Sequence, residues 1–406
     1  MRYRIGGLAT AAVLLLAATG QAHSSAAGHA TAEPPEADIF HTLAPGIGTG
    51  ASVGYGNGPV LTSNRTHIIF WQPAGSHLIF DPGYRPLVER FLRDVATASH
   101  RTNNVFALTG QYTDSSGQPA AYASRYGGAV MDSDKLPATE CTEPPVAGPG
   151  WTVCLTDAEL QSEIEHVVHT HRLPTTQRDV YLLVTPRGLG SCMGAAATSG
   201  CALAGRVNGY CGYHRYTNDG RVDYAFIPYN AVVGHCQSNN PRPNGSTADP
   251  ALSTIGHELA ETITDPNGDG WTDSTGEEIA DLCITTFGPA IGGSGQRAYN
   301  ESIADGHYYL QELWSNASGS CEPRARPDHA SFSVGSRSGR KLAFKGSGDD
   351  PEGRILSYHW LFGDGHRGSG RTVTHRFAAG GNYAVRLRVT DSWDNWSSYT
   401  RAVPVT

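Results

Sequence analysis

The chain has 406 residues, 39% of them hydrophobic and 17% charged, with 49 glycines and 24 prolines. That length is too great for one hydrophobic core and predicts two domains with many turns. A formal charge of −8 with no basic run argues against nucleic acid or an anionic membrane surface as partner.

Arg2 and Arg4 precede an apolar run from Leu8 to Ala18, and Gly20-Gln21-Ala22 follow. This is the pattern of a secretory signal cleaved near Ala22, which makes the expected localisation secreted and extracellular. Cleavage there removes two arginines and no acid, taking the charge from −8 to −10. No later segment approaches about 20 apolar residues, so no membrane span is expected. Residues 23–58, rich in Ala, Gly, Ser and Pro, read as a flexible leader. The eight cysteines (141, 154, 192, 201, 211, 236, 283 and 321) form an even set suited to disulfides, paired in sequence order as the simplest guess.

His67–Trp71 reads as a first strand, and Pro86 opens a helix that lines up Leu87, Val88, Phe91, Leu92 and Val95. Val105–Thr113 reads as a second strand. Thr156 and Glu159 make a capping box for a helix carrying Leu160, Ile164, Val167 and Val168. His166 and His169 on that helix read as surface residues. Val180–Val184 and Val222–Ile227 read as strands, with a loop-rich Gly188–Tyr213 between them. The alternation predicts an α+β domain over residues 59–322, organised around one further helix.

That helix is STIGHELAETITDP, with Asp249 as N-cap and Pro250 in its first turn. Leu252, Ile255, Leu259 and Ile263 form the core stripe, while His257, Glu258 and Glu261 share the other face. A solvated i,i+4 pair is the plain reading of that face; a divalent metal site is the other. The helix resembles the His-Glu-x-x-His helix of metallopeptidases, in which two histidines bind zinc and the glutamate is general base. Glu261 stands here where the second histidine would be.

Upstream lies GYCGYHRY (209–216); downstream lie GEEIADLC (276–283) and YYLQELWSNASGSC (308–321). Together with the helix, this order resembles the secreted EXORDIUM-like (phosphate-induced) family. The resemblance implies secretion and a zincin-like fold. Glu278 and Asp281 fit the downstream ligand and orienting acid of gluzincin peptidases, with roles open to exchange. His214 is a further candidate, as ligand or oxyanion stabiliser. The expected function is then a zinc metallopeptidase acting on extracellular protein or peptide. His257, Glu261 and Glu278 would hold the metal, and Glu258 would accept the proton of the attacking water. A non-catalytic extracellular polysaccharide-binding protein is the alternative.

Asp265, Asn267, Asp269 and Asp273 occupy alternate positions with Gly270 at the sixth, the spacing of a calcium loop, although Gly276 stands where such a loop ends in Glu. Ordinary turn chemistry gives the same pattern.

Past Cys321 the composition changes, and residues 328–406 read as short alternating strands, an immunoglobulin-like β-sandwich. SYHWLFGDG, TVTHRF and GGNYAVRLRVTDS resemble the polycystic-kidney-disease (PKD) repeat. That resemblance places Trp360 and Tyr383 in the core, Asp364 in a turn, and implies a spacer or a polysaccharide or cell-surface contact.

Overall fold

The computed structural model describes residues 52–138, 151–194, 200–202, 209–325, 328–349, 355–391 and 396–406. The signal sequence, most of the leader and Cys141 lie outside these residues.

The apolar run at 67–71 extends into strand β1 (Asn64–Trp71), whose last six residues are all buried. A strand buried on both faces belongs in the middle of a covered, mostly parallel sheet. Indeed β1 lies between β2 (Ser124–Asp132) and β3 (Asp179–Val184), parallel to both. Strand β4 (Tyr213–Tyr216) runs antiparallel to β5 (Asp223–Ile227), and β5 is parallel to β3. The spatial order is β2-β1-β3-β5-β4, so the single antiparallel strand lies at one edge.

Three helices cover this sheet: α1 (Tyr84–Thr97), α2 (Asp157–Thr170) and α3 (Asp249–Thr264). Side chains alternate across the strands, as the pleat requires. Ile68, Phe70, Leu182, Val184, Ala225 and Ile227 pack with α1 and α3. Ile69, Trp71, Tyr181, Leu183, Tyr224 and Phe226 pack on the other side with Leu160, Ile164 and Val167 of α2. The capping box of α2 is formed as expected, with the Thr156 hydroxyl taking the Glu159 N–H and the Glu159 carboxylate taking the Thr156 N–H. His166 is exposed and meets Asp134 at 3.0 Å.

Three expectations need correction. Val105–Gln111 is a 3-10 helix, not a strand; the Asn104 side chain accepts the Phe106 N–H at 3.1 Å. Its residues 105–109 are all buried, and a short run buried all round carries no period that separates strand from helix. Asp249 is the first residue of α3 rather than its cap. Its carboxylate instead ties down the preceding loop, accepting the Ser246 N–H at 2.9 Å and the Asn244 N–H at 3.2 Å. Finally, α3 has no solvated face, because all sixteen of its residues are buried. Segments from both earlier and later in the chain close over the polar side.

Cys192–Cys201, Cys211–Cys236 and Cys283–Cys321 are disulfides, in sequence order.

The C-terminal strands are β6 (Asp328–Ser338), β7 (Lys341–Asp349), β8 (Ile355–Leu361), β9 (Arg367–Ser369), β10 (Thr372–Arg376), β11 (Gly381–Asp391) and β12 (Trp396–Val405). They form two sheets, β6-β7-β10 and β9-β8-β11-β12. Phe332, Phe344, Trp360, Phe362, Phe377, Val385, Leu387 and Val389 fill the space between, and Tyr383 packs against them half-buried. Trp360 satisfies its indole N–H on the Gly370 carbonyl at 2.9 Å. Gly363 and Gly365 take φ of 81° and 90°, which leaves Asp364 between them to accept the His366 N–H.

One polar network fixes the start of β1 against β3. Asp179 accepts from Arg65 Nε at 2.6 Å and from the Thr176 hydroxyl at 2.6 Å, and lies 2.8 Å from His67 Nε2. Burial opposes ionisation of Asp179, but these partners outweigh it and hold the carboxyl well below the usual range. A depressed acid contributes stability above its unfolded pKa of about 4, and that stability is lost as pH falls through the folded value. Asp179→Asn should therefore cost about 1–3 kcal/mol at neutral pH and flatten the acid limb of a urea-midpoint profile. A mutant profile parallel to wild type would remove Asp179 from that role.

Candidate metal centre

The centre is assembled from three segments laid over α3. The first is β4 and the residues before it. Ala225 of β5 faces the α3 side, and its cross-strand partner is His214, so the imidazole is delivered to the same side. Gly212 lets this segment lie on the helix: a Cβ there would meet Thr254 Cγ2 at 2.6 Å and Glu258 Oε1 at 2.7 Å. Cys211, one residue earlier, is tied to Cys236.

The second segment is 278–283. Its Ala280 and Asp281 N–H groups both donate to Glu261 Oε1, each at 3.0 Å. Within it the Glu278 N–H donates to Asp281 Oδ2 at 3.0 Å. The third is Gln311, whose Nε2 donates to the Ala280 carbonyl at 2.8 Å and whose Oε1 lies 3.1 Å from His257 Nδ1. This orients the imidazole. Nδ1–H donates to Gln311, so Nε2 faces Glu261 Oε2 at 3.0 Å and Asp281 Oδ1 at 3.3 Å. His214 Nε2 meets Glu278 Oε2 at 2.8 Å.

The residues expected at the zinc centre (His257, Glu258, Glu261, Glu278 and Asp281, with His214) thus lie together. Of the two downstream acids, Asp281 faces His257 while Glu278 faces His214. Glu261 is common to two groups at ligand spacing, His257–Glu258–Glu261 and His214–Glu261–Glu278. Sequence reasoning missed Gln311 and Gly212 as functional positions. Their only signals are the Gln-x-x-Trp and Cys-Gly-aromatic-His elements themselves.

Charge is the dominant feature of this centre. Glu258, Glu261, Glu278 and Asp281 are 1%, 0%, 9% and 7% exposed, and His257 is 5% exposed. Four carboxyl groups and two imidazoles are packed together here, and each buried ion costs several kcal/mol unless compensated. A divalent cation would provide such compensation. One or two imidazole nitrogens with carboxylate oxygens suit zinc or a harder divalent ion. Close by, burial pushes the Asp223 carboxyl up to about 7, with His214 opposing the shift. A cavity of about 10 Å³, roughly the room one water needs, is lined by Gly212, Thr254, His257, Glu258 and Gln311 among others.

Two of the candidate calcium residues cap turns. Asp265 Oδ1 accepts the Gly270 N–H at 2.7 Å, and Asp273 Oδ1 accepts the Thr275 and Glu277 N–H groups. Asn267 and Asp269 are exposed. Trp271–Thr272 then pairs antiparallel with Gly54–Tyr55. Among the described residues His, Cys, Asp and Glu side chains reach ligand spacing in five groups, none of which unites Asp265, Asp269 and Asp273.

Residues 326–406 match the PKD domain model. Protein EXORDIUM-like 5 of Arabidopsis thaliana is 24% identical over 271 residues, 59% of this chain and 66% of its own length, just under two thirds. Protein EXORDIUM-like 3 of the same plant is 26% identical over 305 residues, 66% of this chain and 81% of its own. The PKD1 domain of Vibrio anguillarum Epp is 27% identical over 20% of this chain and 96% of its own, with a TM-score of 0.19. No described helix is long and apolar enough to cross a membrane. The disulfides and the PKD domain fit an extracellular protein. The chain is a distant homologue of the EXORDIUM-like proteins that carries a PKD domain at residues 326–406.

Proposed function

We propose that the chain is a secreted zinc metallopeptidase of zincin-like architecture, with its active centre on α3. The observation that carries this reading is the His257 Nε2 aimed at two buried carboxylates, beside a water-sized cavity against Glu258. His257, Glu261 and Asp281 would hold the ion, with Glu278 and His214 completing or flanking the set. Zinc in such a site polarises a carbonyl and acidifies water. Glu258, at the cavity wall, takes the proton from the attacking water and returns it to the leaving amine. Gln311 keeps the His257 ring in register by accepting Nδ1–H. Two or more carboxylates on one zinc neutralise more of its charge than one carboxylate does, so the pH optimum should lie above that of His2Glu enzymes.

A second reading has its own support. The complete burial of α3 and the one-water cavity fit an ion that holds the fold together without turnover. One set of measurements separates the two. Purified protein should contain one zinc per chain, and a chelator should lower its melting temperature under either reading. Under the first, a fluorogenic peptide mixture is cleaved, and Glu258→Gln keeps the zinc while losing about 100-fold or more in rate. Zinc without cleavage selects the second reading, and no metal with an unaltered melting temperature removes both.

Gly212→Ala is a sharper probe of the geometry. Its methyl group must displace Glu258 or Thr254, so it should destabilise by about 1–3 kcal/mol. Where the protein still folds, it should also depress cleavage more than zinc content. A neutral effect on melting temperature would mean the segment is not seated on α3.

A further inference from the structure

The open face of the β9-β8-β11-β12 sheet carries a concentrated positive charge. Along β11, Val385, Leu387 and Val389 point into the core, so Arg386 and Arg388 stand on the opposite face. The register sets Arg386 opposite Leu361 of β8, and Leu361 opposite Arg367 of β9. Arg388 is opposite His359, one row along. The next cross-strand row brings Trp396 beside Thr390; its ring is 52% exposed and lies 4.5 Å under the Arg388 guanidinium. A concavity of about 550 Å³ runs between these side chains. Arg367, Arg386 and Arg388 line it, and among the described residues no Asp or Glu does. In a chain of net charge −8, three exposed arginines lining one concavity, with no acid lining it among the described residues, form a local field opposite to that of the whole.

We infer that this face binds an acidic polysaccharide. Guanidinium groups pair carboxylate or sulfate oxygens bidentately, which a neutral glycan does not offer. The exposed Trp396 adds a flat apolar surface for a sugar ring, and its contact with Arg388 already holds that ring in place. Nucleic acid fits less well. Its dense phosphate charge would extend beyond three arginines on to a chain that is acidic overall. The inference is independent of the metal centre and its test uses no catalytic readout.

The test is affinity electrophoresis of the full chain in native gels containing polygalacturonate, heparin, hydroxyethyl cellulose or duplex DNA. Retardation is expected with polygalacturonate, heparin or both, and which of them acts distinguishes uronate from sulfate recognition. Hydroxyethyl cellulose and DNA should have no effect. The double variant Arg386→Ala/Arg388→Ala should weaken binding at least tenfold, and Trp396→Ala should weaken it less. These side chains are exposed, so their melting temperatures should match wild type and report any misfolding. Glu258→Gln should bind as wild type does. Equal retardation of the double variant, stronger retention by DNA, or no retention by either acidic polymer would overturn the inference.

Discussion

The clamp at Glu261 is the interaction on which the rest of the centre depends. One oxygen of this carboxylate takes two backbone N–H groups from residues 280 and 281, and the other faces His257. A carboxylate has four acceptor sites over two oxygens, whereas an imidazole offers at most one. A histidine at 261 could hold a metal, but it could not also take both N–H groups. The departure from a His-Glu-x-x-His helix is therefore tied to how the chain returns over α3. Position 261 both docks the 278–283 segment and presents an oxygen to the cluster.

Rigidity comes from the sheet. Strand β3 is buried along its whole length, and β1 and β5 flank it in parallel. The α3 stripe of Leu252, Ile255 and Leu259 packs on one side of these strands, which fixes the rotation of the helix and so the direction of residues 257, 258 and 261. His214 arrives from the antiparallel edge strand, whose register to β5 is set by four successive residue pairs. Two rigid elements thus supply the imidazoles, and a loop held by hydrogen bonds supplies two of the acids.

Local signals in the sequence were sufficient for elements with a clear period or cap, failed at the aperiodic run 105–111, and did not reveal the elements' partners. The capping box at Thr156, the apolar stripe of α3 and the alternating strands after residue 328 depend on neighbours a few residues apart, and each is where its pattern puts it. The disulfide order 192–201, 211–236 and 283–321 also follows the chain. Arg367–Ser369 was not legible, because three residues show no period. The burial of the α3 polar face depends on segments 20 to 60 residues away, as in the Gln311 contact to His257 across 54 positions. The pairing of Asp281 with His257 and of Glu278 with His214 turns on a three-residue bend closed by the Glu278 N–H, a detail that composition does not encode.

Packing four acids into one buried cluster is costly, so the segments that carry them must be firmly held. The two long disulfides act at that point. Cys211–Cys236 anchors the strand entry three residues before His214, and Cys283–Cys321 anchors the segment two residues after Asp281. Loops of 25 and 38 residues closed by a disulfide contribute about 3–4 kcal/mol each through the unfolded chain. That is comparable to the penalty of one uncompensated buried charge. Backbone N–H groups aimed at Glu261 and Asp281 add compensation that comes from the chain itself. Covalent crosslinks and peptide dipoles thus act together to keep these segments seated over α3.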